Sequence, residues 1–282
     1  MLLRTASFLF AGLACVLALG GCPKPRSSAA TQPMPAGYVA PASDPKALEL
    51  VDAALAKAGG AAAWENLKEL NFTIKYKDGD TTKAHFQHSW DRWNGRHYFV
   101  TPVPNDEEPG KTMLQEVKHD LFDLEAKPWA AVDGVVAGTR DQALDMAKIA
   151  STRLTEDLYF LTIIYKMKDP GVKLTVDNPE ITVEGSTTVC VPSCTSIKIS
   201  FDPSVGKDVW YANFNNESKQ LQAIEKQVGG GRIGYEVSNW VDAGGLKWPT
   251  RFQNLGLKAE VIEYSDVEVG SPEDSTYMPQ VR

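Results

Sequence analysis

Residues 208–266 read DVWYANFNNESKQLQAIEKQVGGGRIGYEVSNWVDAGGLKWPTRFQNLGLKAEVIEYSD, and the fold is decided here. The stretch divides into five strand-like runs at 209–215, 221–228, 232–241, 246–255 and 259–266. Turn formers separate them: Asn216-Glu217-Ser218, Gly229-Gly230-Gly231, Ala243-Gly244-Gly245 and Gly256. Short, evenly spaced runs with Gly and Asn connections predict an antiparallel meander. No helix-period segment interrupts them, which excludes the crossovers that parallel pairing needs.

Upstream, Leu70, Phe72, Ile74 and Tyr76 alternate with Asn71, Thr73 and Lys75, a period of two that predicts a strand with one buried face. Asp78-Gly79-Asp80 turns the chain, and Phe86, His88 and Trp90 share one face of the returning strand over 82–93. Asn94-Gly95 is a strong hairpin signal leading into a strand at 96–100. A Pro-rich, acidic loop is expected at 101–111, then shorter strands at 112–120 and around 132–136. Helices frame this sheet. Asp44 or Ser43 caps the first, Pro45 suits its first turn and Gly59-Gly60 ends it; Leu48, Val51, Leu55 and Ala58 form its apolar stripe. A short turn at 61–67 puts Trp64 and Leu67 on one side. The apolar pattern after Thr139 predicts two more helices, at 140–153 and 156–167, stopped by Asp169-Pro170-Gly171. The second is apolar on nearly every side, so both of its faces should be covered.

The first 22 residues carry an address. Met1-Leu2-Leu3-Arg4 is a short basic start, residues 5–19 are uncharged and largely apolar, and the run closes on Leu19-Gly20-Gly21-Cys22. That length suits a secretory signal better than a settled membrane span. The ending resembles the lipobox of bacterial lipoproteins, which implies that residues 1–21 are removed and Cys22 is acylated. Several acyl chains on one cysteine suffice for stable anchoring. Residues 22–43 then hold the lipidated cysteine and a Pro-, Ala- and Ser-rich tether with too little apolar surface to fold. Pro23, not Asp, follows the cysteine, and resemblance to enterobacterial sorting rules implies the outer membrane of a Gram-negative envelope, facing the periplasm. Residues 44–282, about 240 in number, are enough for one substantial core and are expected to form a single domain.

Four cysteines are present, and Cys15 leaves with the leader. Cys190 and Cys194 remain, spaced Cys-Val-Pro-Ser-Cys between strand-like runs at 180–189 and 195–201. In an oxidising compartment such a pair reads as a structural disulfide across a hairpin loop; a redox pair or half a metal site are the alternatives. The whole chain has net charge −7. Loss of the leader removes Arg4 and no acid, leaving 28 bases against 36 acids, or −8. An acidic chain without a basic run is no nucleic-acid binder, and it draws no attraction to anionic lipid.

Catalytic signals are missing: there is no Gly-x-Ser-x-Gly, His-Glu-x-x-His or phosphate-binding loop, and no catalytic residue or cofactor is expected. His85 and His88 lie three apart on a strand and point to opposite faces, so with His97 and His119 they read as surface or edge histidines rather than a metal site. Asp106-Glu107-Glu108 reads as a solvated loop.

Several motifs together suggest a family. Ala58-Gly59-Gly60 with Trp64-Glu65-Asn66-Leu67, DLYFLTIIYKMKDPGVKL at 157–174, GGLKWPTRF at 244–252 and the ending SPEDSTYMPQ resemble an uncharacterised bacterial envelope lipoprotein family. The pattern covers 44–282 and is distantly similar to the LolA/LolB-like lipoprotein carriers. One departure is Ala58, where relatives often carry His. The resemblance implies a mainly β fold with α (α+β): a curved antiparallel half-barrel with helices packed in its concave face. It also implies a hollow lined by apolar side chains. The residues placed to line it are Phe72, Trp90, Phe160, Ile164, Trp210, Phe214, Tyr235 and Trp248, the aromatic ones of which read most simply as plain core. Two main functional readings follow. One is a membrane-anchored module binding a lipid or other hydrophobic ligand in the hollow. The other is a non-enzymatic envelope interaction or structural lipoprotein with a filled core and a protein partner. A hydrolase is disfavoured.

Overall fold

A computed structural model describes residues 42–177, 193–203 and 206–279. Thirteen strands form one antiparallel sheet: β1 (Glu69–Asp78), β2 (Thr81–Asp91), β3 (Arg96–Pro104), β4 (Thr112–Asp120), β5 (Trp129–Val132), β6 (Val135–Val136), β7 (Val172–Asp177), β8 (Cys194–Phe201), β9 (Trp210–Asn215), β10 (Leu221–Val228), β11 (Gly231–Ala243), β12 (Leu246–Asn254) and β13 (Glu260–Gly270). Four helices accompany them: α1 (Pro45–Lys57), α2 (Ala61–Asn66), α3 (Arg140–Lys166) and α4 (Asp274–Tyr277). The meander read from 208–266 is present as β9 to β13, strand for strand.

The sheet order is β6-β5-β4-β3-β2-β1-β13-β12-β11-β10-β9-β8-β7. Neighbours in sequence are neighbours in the sheet except at one seam, where β1 pairs with β13 and joins two meanders at the centre. The seam aligns Ile74 with Tyr264 and Tyr76 with Ile262, so that alternation keeps apolar residues of both strands on one face. The sheet is open, with β6 and β7 as its edges. At the β7 edge the backbone of Asp44 donates to the Leu174 carbonyl (2.8 Å), and Leu174 N–H donates to Ser43 Oγ (3.0 Å), which covers part of the free edge.

This overturns the α+β half-barrel. Strand makes up 48% and helix 23% of the described residues, the sheet stays open, and among these helices only α3 exceeds thirteen residues, so the helices do not form a layer of their own. The two helices expected after Thr139 are one. Residues 140–166 contain neither Gly nor Pro, and Thr155, whose Oγ1 donates to the Ser151 carbonyl at 3.1 Å, weakens the helix too little to break it. Thr139 and Gln142 close a reciprocal capping box at the start of this helix. The Pro-rich segment at 101–111 is not all loop. β3 runs on through Pro102 and Pro104, pairing with β4 where β2 no longer flanks it. A residue without an N–H costs no ladder bond on an unpaired side. Residues 180–189 lie outside the described residues.

α1 is built as its sequence implies, with Asp44 accepting from Lys46 N–H at 2.8 Å and Pro45 in the first turn. Behind it, Gly59 has φ +113° and sits against the β11–β12 turn, where any Cβ would collide with the Gly245 carbonyl. The Ala58 carbonyl accepts from Lys247 N–H (2.9 Å), and the Tyr165 hydroxyl bridges the Ala58 and Lys247 carbonyls at 3.0 and 2.6 Å. These bonds pin α1, α3 and β12 to one another.

α3 carries the chain from edge strand β6 to edge strand β7 and packs on the inner face of the sheet against β4, β5 and β12. Its two halves pack differently. Ala143, Ala147 and Ala150 lie over Phe99, Val117 and Ala130. Leu154, Leu161, Ile163, Ile164 and Tyr165 enter the main core with Trp64, Phe72, Trp210, Trp248 and Phe252. Among the described residues no helix is long and apolar enough to cross a membrane.

Candidate functional site

Polar side chains are buried in a continuous line between the sheet and α3. On β2, alternation puts Phe86, His88 and Trp90 on the inner face, and on β3 and β4 it puts His97, Phe99, Val117 and His119 there. Trp90 pairs with His97 and His97 with His119, so the rings stand on adjacent strands. His88 Nδ1 lies 3.0 Å from His97 Nε2, and His97 Nδ1 lies 2.8 Å from His119 Nε2. At the other end His88 Nε2 is 3.0 Å from Asp157 Oδ2 on α3. Asp157 Oδ1 accepts from the Tyr76 hydroxyl at 2.6 Å and from Arg153, one helical turn earlier. Arg153 also donates to Tyr76 Oη at 2.8 Å, and Tyr264 Oη donates to the Asp157 carbonyl at 2.6 Å.

The expectation that these histidines lie at the surface or at an edge is wrong for three of the four. His88, His97 and His119 are 2%, 0% and 6% exposed, and Asp157 is fully buried. Period-two alternation sends His85 to the other face, as the spacing implies. Burial disfavours the charged rings, so all three inner histidines titrate below the ordinary value. For His88 the Asp157 hydrogen bond partly opposes this. For His97 burial is reinforced by His119 and His88. His119 falls to about 4 through burial, partly opposed by the Asp120 backbone. Burial also raises the Tyr76 and Tyr264 hydroxyls, with the Asp157 charge adding to both. Arg153 goes up although burial works against it, because Asp157 holds its charge.

The proton positions follow from one end. Asp157 receives Tyr76 and Arg153 on Oδ1 and so acts as acceptor for His88, whose proton then sits on Nε2. His88 Nδ1 must accept, so His97 donates from Nε2; His97 Nδ1 must accept, so His119 donates from Nε2. The chain ends on His119, whose Nδ1 is buried and whose ring lies beside the Asp120 backbone. All three rings carry the same tautomer, and their N–H bonds point toward Asp157. A metal needs one nitrogen from each ring to converge on a point. Here each bridging ring spends both nitrogens in series, and among the described residues no three His, Cys, Asp or Glu are grouped to hold a metal ion.

The residues nominated for a hollow are in contact with one another. Phe72 stacks on His88 at 4.8 Å. Phe160 meets Trp210, Tyr235 and Phe252 edge-on at 5.5, 5.2 and 5.3 Å. Trp248 lies 5.1 Å from Tyr165 and donates its indole N–H to the Ala243 carbonyl at 3.0 Å. Trp90, Ile164 and Phe214 belong to the same cluster, all nearly inaccessible. Two clefts of about 250 and 280 Å³ open beside the C-terminal segment, lined by Glu69, Asn71 and Glu268 and by Glu65, Lys68 and Trp93 among others; none of the eight nominated residues lines either. Cys194 opens β8 and is disulfide-bonded. Cys22 and Cys190 lie outside the described residues.

The sequence reading passed over Tyr76, Arg153, Asp157 and the inward histidines as a unit. Two signals were there: His88 falls between Phe86 and Trp90 on the apolar face of its strand, and Asp157, the second of the adjacent acids Glu156-Asp157, opens the apolar run that follows. No family model and no curated protein matches this chain.

Proposed function

We propose that this chain is a lipid-anchored protein of the bacterial envelope that works by holding a partner at its surface, not by carrying a ligand inside its sheet and not by catalysis. The observation that carries this reading is the packing of Phe160 against Trp210, Tyr235 and Phe252, together with the burial of Phe72, Trp90, Ile164, Trp210, Phe214 and Trp248 in the same cluster. A side chain that already has aromatic neighbours on three sides leaves no room for an alkyl chain. The polar line from Asp157 to His119 is buried along its length, which leaves no room for a substrate beside it. Anchoring through Cys22 rests on the lipobox-like leader, and placement at the outer membrane on Pro23.

Native mass spectrometry of the full chain, extracted from membranes in mild detergent, tests the filled core. The expected result is a mass of protein plus anchor alone; a further stoichiometric lipid that survives detergent exchange would reinstate the carrier reading. In parallel, wild type should fractionate with membranes and Cys22→Ser should not. A Cys22→Ser chain that stays with membranes would sink the anchor.

A further inference from the structure

We propose that the segment 271–278 is a built-in occupant of a peptide-docking cradle on the outer face of β1–β4, and that a partner protein is held there by an acidic, tyrosine-bearing segment of its own that takes the place of this strap. The inference rests on the partner-holding reading and names the surface and the chemistry of the contact.

Two neighbouring rungs of the sheet build the cradle. The alternation that sends Leu70, Trp90, His97 and Val117 inward sends the residues beside them outward. The register aligns Glu69 with Asp91 and Asp91 with Arg96 on one rung, and Tyr98 with Lys118 and Lys118 with Trp129 on the next. Asp91 accepts from Arg96 Nε at 2.7 Å, which leaves Nη1 for a second acid. The Lys118 ammonium lies 4.8 and 5.6 Å from the ring centres of Tyr98 and Trp129.

The strap crosses these strands and does not join them. Gly270, the last residue of β13, pairs with Glu69, and beyond it the chain turns back over the face. Asp274 accepts from Arg96 Nη1 at 2.5 Å, the Tyr277 hydroxyl donates to Glu69 Oε1 at 2.6 Å, and the Met278 carbonyl accepts from Lys118 Nζ at 2.8 Å. The Tyr277 ring centre also lies 4.8 Å from the Arg96 guanidinium. All three bonds end on side chains of the sheet. The strap's own backbone bonds, Thr276 N–H to Glu273 and Met278 N–H to Asp274, are internal. Among the described residues no backbone hydrogen bond ties it to a strand, so it can leave without opening the ladder.

The strap fits this cradle incompletely. Glu69 and Lys118 are only 7% and 6% exposed, yet the strap offers the carboxylate a phenol and the ammonium a neutral carbonyl. Among the described residues neither has an opposite charge at ion-pair distance, and buried charges are costly unless paired. A cleft of about 250 Å³ also lies between strap and sheet, lined by Glu273 and Thr276 on one side and Glu69, Asn71 and Ser89 on the other. A partner segment that repeats the acid at Arg96 and the tyrosine at Glu69, and adds a carboxylate beside Lys118, supplies what the strap lacks. Recognition of an acidic segment by fixed basic side chains is an established mode of peptide binding.

Fluorescence anisotropy with a labelled peptide of sequence SPEDSTYMP, residues 271–279, tests the cradle on the full chain. A site already filled in cis has lowered apparent affinity, so the double variant Asp274→Ala, Tyr277→Ala should bind the peptide at least about tenfold more tightly than wild type. Arg96→Ala in that background should abolish binding. A peptide carrying Met278→Glu should bind more tightly still, and Lys118→Met should remove this gain. Equal affinity for both chains, binding that survives Arg96→Ala, or no gain from Met278→Glu would overturn the proposal. Such a failure leaves the partner-holding reading itself standing, because native mass spectrometry tests that reading on the filled core. Should the double variant fail to fold, hydrogen exchange of the wild type decides. Exchange of 271–279 while β1 and β13 stay protected supports a displaceable strap, and exchange of all three together refutes it.

Discussion

His88 on β2 and Asp157 on α3 meet through Nε2 and Oδ2 at 3.0 Å, with both side chains fully buried, and this bond sets the direction of every proton in the line behind it. Helix and sheet are thereby joined by a polar contact within an otherwise apolar interface. Breaking such a contact from one side leaves the other partner's groups stranded.

Asp157→Ala should destabilise the protein by about 3–5 kcal/mol, because Arg153, Tyr76 and His88 all lose their acceptor inside the core. Asp157→Asn should be milder and more informative. Arg153 keeps the amide oxygen on its side, so the amide nitrogen faces His88 and both would be donors. His88 must then accept on Nε2, and the reversal runs through His97 to His119. Denaturant melts give the stabilities, and imidazole nitrogen spectra should show Nδ1–H at all three rings. Unchanged tautomers in Asp157→Asn would contradict the series geometry.

Acid should weaken the fold over a defined window. The buried histidines have lowered affinity for protons in the native state, whereas in the unfolded chain they bind protons below about pH 6.5. The unfolded state therefore takes up more protons as pH falls, and stability is complete above about pH 6.5 and declines beneath it. Each ring adds a slope of up to about 1.4 kcal/mol per pH unit. For His119 the slope ends near pH 4, where the native ring also protonates. Chemical denaturation at half-unit steps from pH 8 to 4 would reveal this. A flat profile between pH 6.5 and 5 would mean that the rings are not buried.

Phe160→Ala should cost about 3–5 kcal/mol, since the ring has aromatic neighbours on three sides that cannot all collapse inward. Lys226, whose ammonium pairs with Asp208 at 2.8 Å on a half-exposed surface, should lose less than about 1 kcal/mol on replacement by Ala. If Phe160→Ala proved as harmless as Lys226→Ala, the core beneath α3 would not be filled.

Gly59→Ala should destabilise more than a helix-propensity change allows. The methyl would meet the Gly245 carbonyl, and φ of +113° is unfavourable to any side chain. Relieving the clash requires the β11–β12 turn to withdraw, at the expense of the Lys247 to Ala58 hydrogen bond. Gly60→Ala has no atom in its way and should suffer only from its φ of +88°. Thermal melts of the two variants should rank Gly59→Ala as the less stable; the opposite order would remove the close approach.

Local chemistry made much of the chain readable in advance. The five strands after 208, the caps of α1 and the Asn94-Gly95 turn depend on neighbours within a few residues, where periodicity and backbone preference act. The lipobox-like leader expected at 1–22 is likewise a local pattern. Other features required partners far apart in the chain. Nothing near Glu69–Asp78 says that its neighbour in the sheet is Glu260–Gly270, because antiparallel pairing leaves the choice of partner to the whole sheet. Continuity of α3 across Thr155 depended on the sheet beneath it, since a β-branched residue weakens a helix only slightly and packing outweighs that. The burial of His88, His97 and His119 was undecidable by residue type, for a histidine on an apolar face is tolerated only if something polar meets it. That something is Asp157, sixty-nine residues beyond His88 and on another element. Hydrogen-bond satisfaction is settled by the three-dimensional neighbour, and only the tertiary structure places that neighbour.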